Sequence, residues 1–253
     1  MIDTHSHIDM LENPEKEIEA FLNAGVKKVI IPGVEPDTFD TITEYIDKYD
    51  CLYGALGVHP SEAQKFNDDV AKKMMLLSHH PKIVAIGEIG LDYYWDKTFV
   101  DVQKKVFRTQ IEIAKSLSLP IIVHDREAHL DSFNILTEMN AKNVVMHCFS
   151  GSLEFAKQCI DMGWHLGIGG VVTFKNARKM KDVVREIPLE NLLLETDAPY
   201  LTPHPFRGEE NSPKYLNLIA REIANLKDLT PEFVIQETTK NAELLFNFNR
   251  GEE

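Results

Sequence analysis

The feature that most constrains this chain is a rhythm: short runs rich in Val, Ile and Leu alternate with longer stretches whose apolar residues recur at helical spacing. The runs are Ile2–His5, Lys28–Ile31, Leu52–Val58, Ile83–Glu88, Ile121–His124, Val144–His147, His165–Ile168 and Leu192–Asp197. Between two of them, Val102–Leu117 carries Val102, Val106, Phe107, Ile111, Ile113, Ala114 and Leu117, a helical stripe. Strands that alternate with helices must lie parallel. Eight such units in series predict the α/β class and a TIM-like (β/α)8 barrel. An open doubly wound sheet is the alternative, but no Gly-x-Gly-x-x-Gly follows the first strand.

The 253 residues suit one such barrel, so a single domain over residues 1–253 is expected, with Asn249–Glu253 as a frayed tail. Helix ends are marked locally. Gly25 and Gly163 suit the left-handed position after a helix, and Pro120 follows another helix end. Ser152 and Thr230-Pro231 suit N-caps.

Charge excludes some functions. With 27 basic and 40 acidic residues the formal net charge is -13, and no basic block offsets it locally, so a long duplex polyanion meets repulsion over most of the surface. A phosphorylated substrate needs a concentrated positive charge. Cys51, Cys148 and Cys159 are odd in number and widely spaced, which fits reduced thiols. The segment MIDTHSHIDM has neither a basic n-region nor an apolar core, and no apolar run could span a bilayer. A cytoplasmic protein without membrane contact is expected, and no obligate protein partner is evident.

In a barrel of this kind, reacting groups gather where strands end. The first run ends in His5-Ser6-His7, the third leads into His59-Pro60, and the fourth ends in Gly87-Glu88. The fifth ends in His124-Asp125-Arg126, the sixth in His147-Cys148 and the eighth in Glu195-Thr196-Asp197. His5 and His7, two residues apart, point the same way on extended backbone and can grip one ion. Each of these residues alone is more often structural. Their joint placement points to metal ligands His5, His7, Glu88, His124, His147 and Asp197. Imidazoles mixed with carboxylates suit zinc, manganese or iron better than magnesium. Glu88 is the candidate bridge between two divalent ions about 3.5–4 Å apart. Glu195 shares a face with Asp197 by parity and is expected to support the site from behind.

At these residues the sequence resembles the TatD family of metal-dependent hydrolases. The matching blocks are Asp3-Thr4-His5-Ser6-His7-Ile8-Asp9, Gly57-Val58-His59-Pro60, Gly87-Glu88-Ile89-Gly90-Leu91-Asp92, His124-Asp125-Arg126-Glu127-Ala128, His147-Cys148-Phe149-Ser150-Gly151 and Leu194-Glu195-Thr196-Asp197-Ala198-Pro199-Tyr200. The resemblance implies a TIM-like barrel with the same six residues as ligands to one, two or occasionally more divalent ions, often magnesium. It implies phosphodiester hydrolysis, typically as a deoxyribonuclease working from the 3′ end of single-stranded DNA. The loop Pro205–Pro213 matches the family's Arg-Gly…Asn region only loosely.

Chemically, a metal-activated water would attack phosphorus, with Asp197 and Glu88 as the catalytic carboxylates and Asp197 accepting the proton. His59, Arg126, Arg207 and Tyr93 are the candidate substrate contacts, the arginines as phosphate clamps and the Tyr93–Trp95 aromatics as stacking surfaces. Salt bridges from Arg126 to Glu127 and from Arg207 to Glu209 are the plainer reading. Two other functions compete: an amidohydrolase or aminoacyl-tRNA deacylase using the same metal chemistry, and a non-catalytic binding scaffold.

Overall fold

A computed structural model describes residues 1–250. Along the chain run β1 (Ile2–Asp3), α1 (Pro14–Asn23), β2 (Lys28–Pro32), α2 (Thr38–Lys48), β3 (Leu52–Leu56), α3 (Asp68–Leu77), β4 (Ile83–Asp92), α4 (Val100–Leu117) and β5 (Ile121–Arg126). They are followed by α5 (His129–Glu138), β6 (Val144–Met146), α6 (Leu153–Asp161), β7 (His165–Ile168), α7 (Arg178–Glu186), β8 (Leu192–Leu194), α8 (Leu216–Lys227) and α9 (Pro231–Phe246). The strands follow one another in the sheet in sequence order, and the ladders β1·β2, β3·β4, β4·β5, β5·β6 and β7·β8 are parallel. This is the (β/α)8 class.

The chain divides into two compact units, one of Met1–Ile31 with Cys148–Leu244, the other of Pro32–His147 with the residues from Leu245 onward. In the first, Thr4 N–H donates to the Leu194 carbonyl at 3.0 Å, so the chain leaving β1 is stitched to β8. Its core holds Phe21, Trp164, Leu166, Leu193, Ile219 and Ile223, all shut off from solvent. In the second, β3 to β6 lie side by side over Ile42, Ile46, Phe107 and Ile111, also fully or almost fully buried. Strands buried on both faces read as near-continuous apolar runs, which is why Ile83–Ile86 and Ile121–Val123 lack alternation.

Local signals place the helix ends. Ser152 Oγ accepts from Phe155 N–H, Thr230 Oγ1 accepts from Phe233 N–H, and Gly25 and Gly163 take φ of 86° and 76°. α4 begins at Val100, two residues before the stripe that announced it. The expected tail begins at Asn249, but Arg250 donates to the carbonyls of Ser78 and Ile83 at 3.3 and 3.1 Å; residues 251–253 lie outside the described residues.

Strand limits differ from expectation where the chemistry sits. β1 and β8 stop at Asp3 and Leu194, while β4 and β5 continue past Glu88 and His124 to Asp92 and Arg126. The extension depends on Gly90. Its φ is 150°, and a Cβ there would lie 1.9 Å from the His124 carbonyl oxygen, so only glycine lets β4 pair with β5 at this level. Among the described residues no helix is long and apolar enough to cross a membrane. Among the described residues no disulfide joins Cys51, Cys148 or Cys159.

Candidate metal centre

The first unit brings together His5, His7 and Asp197. His5 and His7 leave β1 with their rings 5.1 Å apart, nearly perpendicular. Asp197 Oδ1 lies 3.8 Å from His5 Nε2 and 3.6 Å from His7 Nε2. Its backbone is fixed by donation from Asp197 N–H to the His5 carbonyl at 2.9 Å, and its φ is 56°, in the left-handed region that Asp tolerates better than most residues. The peptide planes that carry the trio are therefore tied to each other.

Behind the trio stands Asp3, a carboxylate that reasoning from sequence overlooked. It accepts from Thr196 Oγ1 at 2.5 Å, Thr196 N–H at 3.0 Å and His5 N–H at 3.2 Å, so one buried side chain clamps the start of the His5 segment to the approach to Asp197. Burial pushes its pKa up to about 8 in spite of those donors. Glu195 is fully buried against Gly167, and its Oε1 accepts from Cys148 N–H at 2.6 Å. It holds the chain that follows β6.

The second unit brings together Glu88, His124 and His147, whose ligand atoms all lie within 4.8 Å of one another. Glu88 Oε1 is 2.6 Å from His124 Nδ1 and 3.7 Å from His147 Nε2. His59 faces the same carboxylate at 3.8 Å and His124 ring to ring at 4.2 Å. Its other nitrogen, Nδ1, accepts from Ser61 N–H at 3.1 Å and so anchors the turn at Pro60. Asp92, also unforeseen, completes the cluster with Oδ2 3.0 Å from His124 Nε2. Its spacing of four from Glu88 along an even-parity strand was the available signal.

The donor sets fit a divalent ion. Separations of 3.6–3.8 Å between carboxylate oxygen and imidazole nitrogen exceed a hydrogen bond, and two ligands each about 2.1 Å from a tetrahedral ion would stand roughly 3.4 Å apart. His5, His7, Glu88 and His147 are at most 6% exposed, so these donors are already withdrawn from water.

A profile of the family described as TatD related DNase matches residues 2–247. The uncharacterized metal-dependent hydrolase YabD of Bacillus subtilis is 46% identical over 98% of this chain and the whole of that relative. The chain belongs to the TatD family. It is a metal-dependent hydrolase. The uncharacterized metal-dependent hydrolase TatD of Mycobacterium tuberculosis is 35% identical over 96% of each chain. The crystal structure of the TatD homolog YjjV from Escherichia coli K12 superposes with a TM-score of 0.93 at 34% identity, over 98% of both chains. An organophosphorus hydrolase mutant from Deinococcus radiodurans, at 14% identity and a TM-score of 0.67 over 97% of this chain and 92% of that one, shares the fold.

Within this TatD-family site the His124 imidazole is perturbed by its neighbours. Burial works to lower its pKa, but the Glu88 charge and hydrogen bonds to Asp92 and Glu88 prevail and push it up to about 9. The expected substrate contacts fall in three places. Tyr93 spends its hydroxyl on Asp131 Oδ2 at 2.8 Å, so it is Tyr94 and Trp95 that present exposed rings. Arg126 lies over the Tyr94 ring, 4.0 Å from its centre, and Arg207 lies 3.8 Å from the centre of Phe174. Both guanidinium groups rest on aromatic faces, and among the described residues neither makes the ion pair to Glu127 or Glu209 expected from sequence.

Proposed function

We propose that the protein is a phosphodiesterase that cleaves single-stranded DNA from the 3′ end in the cytoplasm. Its metal ligands are His5, His7 and Asp197 in one unit and Glu88, His124 and His147 in the other. The observation that carries this reading is that each unit offers two imidazoles and a carboxylate at ligand spacing, with Asp197 left partly open to solvent. A pair of seats suits the charge of a phosphodiester on a protein of net charge -13.

A divalent ion bound at such seats supplies Lewis-acid charge neutralisation and lowers the pKa of a coordinated water toward about 7. The residues do the rest. Asp197, at 15% side-chain exposure, accepts the proton of the attacking water. Glu88, at 4%, is the withdrawn carboxylate that fixes His124 and His147 around one seat. His59, its Nδ1 accepting from Ser61 N–H, turns Nε2 toward Glu88 and donates from there to a substrate oxygen. Arg126 and Arg207 hold phosphates along the strand.

The test is to incubate 3′-labelled and 5′-labelled single-stranded DNA with metal-stripped protein and with protein reloaded with manganese, magnesium or zinc. Stepwise loss from the 3′ end, only after reloading, is the expected result. Hydrolysis confined to carboxylic esters, amides or aminoacyl-tRNA in a parallel panel would overturn it.

A further inference from the structure

The turn after β4 exposes an unusual amount of aromatic surface. Trp95 is 73% exposed and Tyr94 51%, and Phe99 follows at 36%. Trp95 and Phe99, with Pro60, Ala63, Gln64 and Asp96, border a shallow recess beside this surface. Its lining is mixed: Pro60, Ala63 and the two aromatic rings give it apolar surface, and Ser61, Gln64, Asp92, Asp96 and Gln103 give it polar groups.

This surface is held firmly from below. Asp92 Oδ1 accepts from Tyr94 N–H at 2.8 Å and Trp95 N–H at 3.3 Å. Gln103, itself buried, brackets the Asp92 backbone: its Oε1 accepts from Asp92 N–H at 2.9 Å and its Nε2 donates to the Asp92 carbonyl at 3.0 Å. The other Asp92 oxygen faces His124 Nε2. The exposed rings are thus one side chain away from a candidate metal ligand. Arg126, 4.0 Å from the Tyr94 ring centre and 5.3 Å from that of Trp95, adds a positive charge to a face of an otherwise acidic protein.

We propose that Trp95 and this recess form a base-binding subsite that takes one unpaired nucleobase, with Arg126 seating the phosphate attached to it. An aromatic face coupled to a guanidinium suits a flat ring that carries an anion, and every base has such a face. A base inside a duplex keeps its faces stacked on its neighbours, so the subsite selects single strands. This inference rests on the phosphodiesterase reading and refines it: the platform decides which nucleotide lies beside His124.

Fluorescence reads the subsite without reference to cleavage. The chain has two tryptophans, and Trp164 is fully buried, so an oligonucleotide that stacks on the platform quenches Trp95 selectively. The experiment titrates metal-loaded protein with an oligothymidylate and with an abasic strand of equal length. It then compares Trp95→Ala, Trp95→Phe and Arg126→Ala in binding and in KM. Selective quenching by the base-bearing strand is expected, with binding weakened by about 5- to 100-fold in Trp95→Ala. Trp95→Phe should keep most of the affinity, and Arg126→Ala should lose affinity for both strands. Equal binding of the two strands, or Trp95→Ala binding like the parent, overturns the subsite. Cleavage of the oligonucleotide alongside that result would leave the phosphodiesterase reading standing, whereas quenching without cleavage would support the subsite and sink that reading.

Discussion

Asp92 and His124, on neighbouring strands, meet at 3.0 Å, and through that contact a residue outside the six candidate ligands governs one of them. The imidazole lies between two carboxylates, since Glu88 takes its other nitrogen. Replacing Asp92 with Asn keeps the shape but removes the charge that orients the ring. The expected loss in metal affinity or kcat/KM is about 10- to 100-fold, measured by metal titration and steady-state kinetics. Turnover equal to the parent at limiting metal would mean that Glu88 alone orients His124.

The pH dependence of the metal-free protein has a definite sign. His124 is raised from an ordinary 6.5 to about 9 in the folded state, so the stability it contributes is complete below about 6.5 and is lost as pH rises through 9. Asp3, raised from 3.8 to about 8, acts in the same direction because the folded state holds its proton more tightly than the unfolded chain. Thermal midpoints of metal-stripped protein should fall between pH 6.5 and 9. A rise over that window would contradict both assignments.

Gly90→Ala tests the geometry of the β4·β5 ladder. The added methyl meets the His124 backbone at 1.9 Å, and the residue's φ of 150° is one that side chains rarely adopt. Destabilisation of about 2–4 kcal/mol is expected in denaturant unfolding. An unchanged midpoint would show that the strands part there at little cost.

The two arginines offer a contrast. Arg126 and Arg207 both rest on rings, so neither is expected to contribute much to folding, and alanine at either position should move stability by less than about 0.5 kcal/mol. Their effect belongs in KM for a polyanionic substrate and should shrink as salt is raised. KM unaffected by both substitutions at low salt would remove them from substrate binding.

Much of this was legible in sequence because the constraints are local or periodic. Apolar runs bounded by helix signals located every strand, and β7 matched residue for residue at His165–Ile168. Ser152 and Thr230 capped as their chemistry dictates. The extension of β4 was hidden because Gly90 reads as a strand breaker until its neighbour is seen. Asp92 was hidden for a related reason: an Asp at a strand end ordinarily caps a turn, and Asp92 does that for Tyr94 and Trp95 as well as facing His124. Among three consecutive aromatics, nothing in sequence says that Tyr93 would turn to Asp131 while Tyr94 and Trp95 face outward.

The most direct test of the central claim is the number of divalent ions bound per chain, measured by elemental analysis together with turnover on single-stranded DNA. The parent should bind about two ions, and the pairs His5→Ala with His7→Ala and His124→Ala with His147→Ala should each bind about one and lose turnover. A folded parent that binds no ion, or paired variants that keep the parent's metal content and rate, would contradict the account.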